Sequence, residues 1–241
     1  MNAAVIVERD GPIECVTLNR PDRGNMLTIP MVAELTDRIE QAGCNRDLKA
    51  IVVTGAGENF CLGRDPEGAP EQVSKTALEM RSDLTAPILA FYAAVRSAEV
   101  PVIAVVRGLA NGFGCAAAAV CDVTIAAADA RFALPEMKHD LPPTLAMCAH
   151  IDRTMPKSIA WLVYSTRELD AATAQSLGFV SHVALAGQLD ADVKSFLSTL
   201  GDRDRDSLAT CKTYIANARL METDKASDYA GNLLSVIMSS R

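Results

Sequence analysis

Three short stretches of the chain bring together residue types that could do chemistry. The first, Phe60-Cys61-Leu62-Gly63-Arg64-Asp65, follows the apolar run Ile51-Val52-Val53-Thr54-Gly55. The second, Gly108-Leu109-Ala110-Asn111-Gly112-Phe113-Gly114-Cys115, lies between the apolar run 102–106 and an alanine-rich stretch. Where a glycine turn leads from a strand into a helix, main-chain N–H groups are free to donate, and the helix N-terminus adds partial positive charge. Glycine also lets a ligand approach the backbone closely. Such turns suit a developing negative charge, although each alone is equally explained by chain geometry. Neither is a phosphate loop: there is no G-x-x-x-x-G-K-[ST], and Ala117 stands where a dinucleotide fingerprint needs its third glycine. The third stretch runs from Arg131-Phe132 through Pro135-Glu136 to Asp140 and Pro143. A carboxylate beside Pro135 and among apolar residues would be partly desolvated, which raises its pKa and suits general acid–base work; a solvated loop glutamate would do none.

The elements that must position these stretches alternate between strand and helix. Residues 4–8 and 13–19 flank Gly11-Pro12 and read as a β-hairpin. Met31, Leu35 and Ile39 at four-residue spacing mark an amphipathic helix over 29–43, ended by Gly43. Residues 49–55, 102–108 and 122–128 read as buried strands, and 179–184 as a further short strand. A polar stretch at 66–80, with Pro66, Gly68 and Pro70, reads as a loop before a helix over 85–98. Residues 112–122 form a small-residue helix suited to close packing. Helices dominate from 144 onward, with Trp161 and Tyr164 expected to pack on a late helix, and the last forty residues read as two helices. Alternating strands and helices imply a mixed α/β layered fold.

Composition bounds the function. The chain has 241 residues, 49% hydrophobic and 22% charged, an ordinary globular makeup. A net charge of −7 argues against nucleic acid or an anionic membrane as partner. Glu8, Arg9 and Asp10 come too early for a secretory signal, and Glu99, Arg107, Asp122 and Asp129 interrupt any run approaching the roughly 18–20 apolar residues of a bilayer span. Seven scattered cysteines without a C-x-x-C pair fit reduced thiols and a cytoplasmic protein. Cys148 and His150 form a C-x-H with no accompanying ligands, so no metal site is expected. His150 and His182 read as fold residues, and His139 is left open.

Together, in this order and spacing, the three stretches resemble the enoyl-CoA hydratase/isomerase (crotonase) superfamily. Its patterns F-x-x-G-x-D, G-x-A-x-G-G-G and F-x-x-P-E correspond to Phe60–Asp65, Gly108–Gly114 and Phe132–Glu136. TLNRPDRGNML (17–27) and SLGFVSHV (176–183) match further family patterns, so the resemblance covers about residues 5–220. It implies an α/β crotonase-like spiral of ββα units, residues 1–190 forming the core with the coenzyme A and active site. Residues 191–241 would form a C-terminal helical oligomerisation region. It also implies an acyl-CoA thioester as substrate, with coenzyme A present as part of it and no permanently bound cofactor, and a homotrimer or dimer of trimers. The matching positions make the backbone N–H groups of Arg64 and Phe113 an oxyanion hole, with the bulk of both side chains narrowing the site. Gly63, Asp65, Gly112 and Gly114 shape the substrate site, Asp65 also as a turn cap. Arg23 is a candidate cation for the coenzyme A phosphates.

The sequence departs from the family at Ala116, where hydratases carry one of two catalytic glutamates, while Glu136 keeps the other. Moving a double bond needs only one base that removes a proton and returns it elsewhere, so the chain resembles the single-glutamate enoyl-CoA isomerases more closely. Asp140, four residues after Glu136, is a candidate second carboxylate for a hydratase or other crotonase-type lyase or hydrolase. A catalytically silent coenzyme A-binding subunit is the non-enzyme alternative. The related serine-protease fold is opposed by Cys-Ala-Ala-Ala-Ala at 115–119, which offers no serine. The end, DYAGNLLSVIMSSR, lacks the family's Pro-Phe tail, and its stripe Leu233, Leu234, Ile237 is apolar enough to mark a subunit contact.

Overall fold

A computed structural model describes residues 3–67 and 76–240 of the chain. The expected hairpin is present: β1 (Val5–Asp10) pairs antiparallel with β2 (Ile13–Leu18) across Gly11, which sits at φ +55°. From β2 the sheet continues in parallel through β3 (Ala50–Gly55), β4 (Val102–Val106), β6 (Val123–Ala127) and β9 (His182–Ala184), in the order β1-β2-β3-β4-β6-β9. β4 is buried at all five positions, as a strand covered on both faces must be. A second, three-stranded sheet was not foreseen. It joins β5 (Leu109–Asn111), β7 (Arg131–Ala133) and β8 (Leu169–Asp170), three strands too short to show a period.

Helix α1 (Ile29–Cys44) runs one residue past Gly43. That glycine lies inside the helix, and a Cβ on it would come 2.9 Å from the Ala98 Cα, so it serves close packing on the neighbouring helix rather than termination. The stretch expected as a loop at 66–80 lies partly outside the described residues, at 68–75. Its last part is helical: α2 (Ala77–Met80) is capped reciprocally by Thr76 and Glu79, and a π-turn at Arg81–Thr85 leads into α3 (Ala86–Ser97). The helix therefore begins earlier than its apolar face, because a capping box needs no apolar residue. Ile88, Phe91, Tyr92 and Val95 bury one face of α3 against α1 and α4 (Phe113–Val120), in which every residue is buried.

Downstream come α5 (Thr144–His150), α6 (Pro156–Ser165), α7 (Ala171–Ser176) and α8 (Leu189–Gly201). Trp161 and Tyr164 do not pack inward as expected. On α6 the buried residues are Ile159, Leu162 and Val163, while Trp161 is 52% and Tyr164 79% exposed, since three-residue spacing places both on the opposite face. The strand expected at 179–184 is only β9, because Phe179 and Val180 are used as buried bend residues, Phe179 edge-on to Phe132 and His150. The 190/191 boundary falls within α8, whose Val193, Phe196 and Leu197 pack on Ile13, Val52, Ile103 and Val105 of the large sheet.

The helical extension is α9 (Arg205–Ala218) and α10 (Thr223–Ser239). Lys212 of α9 reaches into the core, 2.8 Å from Asp122 and donating to the Val95 and Val100 carbonyls. Arg205 donates to the Leu48 carbonyl and pairs with Glu99. α10 buries none of its residues. Among the described residues no helix is long and apolar enough to cross a membrane.

His150 is wholly buried, its Nδ1 3.2 Å from Thr154 Oγ1 and its Nε2 without a partner. Burial disfavours the imidazolium and pushes its pKa down to about 4, from the usual 6.5. As pH falls below 6.5 the unfolded chain takes up this proton before the folded one does, so stability is lost between about pH 6.5 and 4. The loss is on the order of 3 kcal/mol. The expected results are a urea midpoint that drops across that window and a His150 ring resonance that titrates near pH 4 in the folded protein.

Candidate active site

The two glycine turns meet through their backbones. Cys61 N–H donates to Leu109 O at 3.3 Å, and Asn111 N–H donates to Cys61 O at 2.9 Å, so the 60–63 segment runs beside β5. Gly114 makes this approach possible, since a Cβ there would overlap the Cys61 carbonyl. Gly63, at φ +110°, sits with its would-be Cβ 3.1 Å from Asn111 O and 3.8 Å from Phe113 N. The N–H groups of Arg64 and Phe113 are thereby brought to neighbouring positions. Among the described residues neither has an acceptor: Arg64 N–H points away from the Leu27 bridge, and Phe113 opens α4.

Glu136 reaches the same place from the small sheet. Asn111 is in register with Ala133, Gly112 N–H donates to Ala133 O at 2.9 Å, and Glu136 starts the 3₁₀ turn Glu136–His139 that follows β7. Its Oε1 lies 3.1 Å from where a Cβ on Gly112 would stand, and Gly112 itself holds φ +53° and ψ −118°. Burial raises the Glu136 pKa above the ordinary glutamate value, and Oε2 is buried without a hydrogen-bond partner. A half-buried carboxylate with one oxygen unpaired thus stands beside two N–H groups without acceptors, an arrangement suited to proton removal next to a polarised carbonyl.

The remaining expected site residues divide. Ala116 is fully buried in α4 and offers only a methyl group. Asp140 is not a second carboxylate in this arrangement. It ends the 3₁₀ turn at φ +55°, its side chain is exposed, and the shift on Glu136 comes from burial rather than from Asp140. Four-residue spacing brings side chains together on an α-helix, but a 3₁₀ turn closed by a left-handed residue does not repeat that geometry. His139 is likewise exposed. Asp65 is 4% exposed and is used internally: it accepts from Glu67 N–H at 2.9 Å, a bond that, with Arg20 Nη1 at 2.8 Å, holds its carboxyl below the usual range. It is the turn cap, with its carboxylate turned onto Glu67 N–H and Arg20. Arg23 is on the surface, paired with Glu67.

The bulk of Arg64 and Phe113 does not converge on the donors. Arg64 is exposed, while Phe113 is 7% exposed, with Phe91 edge-on at 5.7 Å and Tyr92 stacked at 6.2 Å. Two residues inside the 17–27 motif were not singled out and do much of the positioning. Buried Asn25 accepts from Arg20 N–H and donates to the carbonyls of Ala56 and Asn59, and Arg20 holds both Asp65 and Met26 O. Nearby, Leu27 N–H donates to Gly63 O, and Asp65 N–H donates to Leu27 O. Among the described residues no cluster of histidine, cysteine and acidic side chains could hold a metal ion.

Because the donors are main-chain, Arg64→Ala is expected to keep most of the polarisation of a bound thioester. Gly112→Val and Gly63→Val should abolish it, with an activity loss of about 100- to 1000-fold for each donor displaced. The red shift of a bound enoyl thioester, with circular dichroism to verify folding, checks both.

Comparison with known proteins agrees with this geometry. The family model described as enoyl-CoA hydratase/isomerase matches residues 8–239. A Mycobacterium tuberculosis protein named "Probable enoyl-CoA hydratase" is 30% identical over 215 residues, covering 89% of this chain and 81% of that protein. The 2,3-dehydroadipyl-CoA hydratase of Escherichia coli is 34% identical over 181 residues, 74% of this chain and 68% of that one. The crystal structure of an enoyl-CoA hydratase from Mycobacterium smegmatis superposes with a TM-score of 0.90 at 26% identity, covering 98% and 91% of the two chains. The six-stranded sheet, the helices and the C-terminal pair are thus the crotonase fold. With its pattern matched from β1 to α10, the chain belongs to the enoyl-CoA hydratase/isomerase family of acyl-CoA enzymes.

Proposed function

We propose that this enzyme shifts the double bond of an enoyl-CoA thioester, with Glu136 as its single proton-transferring base. The N–H groups of Arg64 and Phe113 hold the thioester oxygen while Glu136 removes a proton from C2 of a 3-enoyl-CoA. The charge spreads over a dienolate, and Glu136 returns the proton at C4. The observation that carries this reading is the site's inventory. Glu136 is the carboxylate beside the two donors, and Ala116 supplies none. A neighbouring dipole or N–H donor typically contributes about 3–4 kcal/mol to the enolate-like transition state, so a single base suffices. The relatives' names favour a second reading, hydration of a 2-enoyl-CoA, and Asp140 does not supply the second carboxylate that such a step uses elsewhere in the family.

Coenzyme A enters as part of the substrate. Its phosphates would compete with Glu67 for Arg23, the cation assigned to them from the sequence. The exposed Leu234 and Met238, four residues apart on one face of α10, support a homotrimer or a dimer of trimers in which this face is covered. Seven free cysteines support a reducing, cytoplasmic setting.

Glu136→Gln keeps the shape but cannot accept a proton, so isomerisation of 3-hexenoyl-CoA should fall on the order of 10²- to 10⁴-fold while thioester binding survives. In the parent, isomerisation should exceed hydration of crotonyl-CoA; turnover of neither, with binding retained, would instead indicate a silent binding subunit. Only ionised Glu136 is a base, and burial places its pKa above 4.5, so kcat/KM should fall as pH drops through that raised value. Light scattering at micromolar concentration should give about three or six times the 25.6 kDa chain mass, and a monomer would contradict the assembly.

A further inference from the structure

The 3₁₀ turn Pro21–Arg23 and the glycine that ends it lie directly against the turn that carries the Arg64 N–H group. Leu62 N–H donates to the Gly24 carbonyl at 2.9 Å, and a Cβ on Gly24 would overlap the Leu62 side chain. Arg20 and Arg23 therefore flank the donor turn. Arg20 is tied to it: its Nη1 lies 2.8 Å from Asp65 Oδ2 and donates to the Met26 carbonyl at 2.8 Å. Its Nη2 lies 3.4 Å from Glu67 Oε2, and the same oxygen accepts from Arg23 Nη2. Two guanidinium groups thus converge on a single carboxylate oxygen, which makes them a cradle for one anionic group. The donor turn itself supplies the occupant, since Glu67 follows Arg64 by three residues and its N–H donates to Asp65 Oδ1. The Arg23 and Glu67 side chains are 50% and 57% exposed, so solutes reach this pair. An exposed ion pair holds its partners weakly, and a more highly charged anion can take the place of the carboxylate.

We propose that Glu67 is a built-in competitor for the phosphates of the substrate. It fills the Arg20–Arg23 cradle while the site is empty and is displaced when a coenzyme A thioester binds. The proposal rests on the acyl-CoA reading of the site, but not on Glu136 as base or on which bond the enzyme moves. The step is an exchange of ions in which no covalent bond forms or breaks. A phosphate monoester carries about −1.5 to −2 charge near neutral pH and three acceptor oxygens, against one charge and one engaged oxygen for Glu67. The phosphate therefore wins the cradle, and the lost Glu67 contacts offset part of its attraction. Every coenzyme A thioester, substrate or product, is then held less tightly than the bare arginines would hold it. A thioester without phosphates leaves Glu67 in place and gains or loses nothing from it. Weaker retention of product favours turnover wherever release limits the rate.

The affinity for butyryl-CoA tests this, since its saturated chain has no double bond to move or hydrate. Calorimetry would give its dissociation constant for the parent, Glu67→Gln, Arg23→Gln, the double variant Arg23→Gln/Glu67→Gln and Asp22→Asn. Asp22 is an exposed acid on the same 3₁₀ turn with no ion-pair partner among the described residues, so Asp22→Asn removes an equal charge without freeing an arginine. Glu67→Gln should bind butyryl-CoA about two- to fivefold more tightly than the parent, the size of an exposed ion pair. Its affinity for butyryl-pantetheine, which carries the same thioester without the phosphates, should be unchanged. Arg23→Gln should bind butyryl-CoA more weakly, and in that background most of the gain from Glu67→Gln should disappear. Equal affinity of Glu67→Gln and parent for butyryl-CoA, an equal gain for butyryl-pantetheine, the same gain from Asp22→Asn, or a gain undiminished by Arg23→Gln would each overturn the competitor role and leave the Glu136 reading standing. No binding of butyryl-CoA by the parent would instead remove the acyl-CoA substrate on which both rest.

Discussion

The hydrogen bond from Asn111 N–H to the Cys61 carbonyl, 2.9 Å long, fixes the distance between two backbone segments that are fifty residues apart in sequence. The site depends on that approach. It sets Gly63 against Phe113 N and so brings the N–H groups of Arg64 and Phe113 together. The approach tolerates no side chain at Gly114, whose Cβ would overlap Cys61. It is reinforced from below by an all-buried alanine helix, which lets α4 sit close to β4 and β5. It is reinforced from the side by the 17–27 segment, whose Arg20 and Leu27 hold the Gly63–Asp65 turn through three short contacts while Asn25 holds the Asn59 carbonyl just before it. Main-chain donors held by such a scaffold would need no reorganisation if negative charge developed beside them.

Glu136 illustrates the tension between function and stability in this frame. Its carboxylate is held half-buried, with one oxygen unpaired, against a glycine that only the left-handed region accommodates. Desolvation makes it a stronger base and at the same time makes its charged form unfavourable in the folded protein. The surrounding core carries that burden: Phe91, Tyr92 and Phe113 form a compact aromatic cluster directly behind the turn, and Phe132 on β7 and Leu134 just after it are fully buried on the way to Glu136. The same cluster explains how phenylalanine at 113 coexists with an open donor, since its ring is packed in the core while its N–H, at the start of α4, is left without an acceptor among the described residues.

The C-terminal helices are tied to the core by charge rather than by apolar packing. Lys212 is desolvated, and its ammonium is matched by Asp122 and two carbonyls; Asp122 in turn accepts from Val102 N–H and lies 3.2 Å from Arg153. Asp152 gathers Arg96 of α3, its neighbour Arg153 and Arg219 at the end of α9. Breaking such a buried pair from one side leaves an uncompensated charge, so these contacts specify where α9 sits more than they add net stability. α10 has no comparable anchor and presents its apolar residues outward.

Much of this protein was determined locally and was therefore legible in its residues. The hairpin, α1, β3, β4, α4 and β6 each carry their own period or apolar run, and the two glycine turns and Glu136 lie in short motifs whose chemistry follows from residue type. Other features depend on contacts that no local pattern encodes. The three-stranded sheet is built from two- and three-residue strands, stable only because β5 and β7 are held in register by the larger fold. Gly43 looked like a helix stop and is a packing contact, because its neighbour Ala98 is remote in sequence. Asp140 looked like a partner for Glu136 because four-residue spacing was taken as α-helical, and a 3₁₀ turn ending in a left-handed residue exposes it. Tyr92 carried no motif; its place behind the site was decided only where α3 crosses α4 and lays its ring on Phe113. Residue types thus determined which groups could react, while the close packing of distant backbones decided which of them meet.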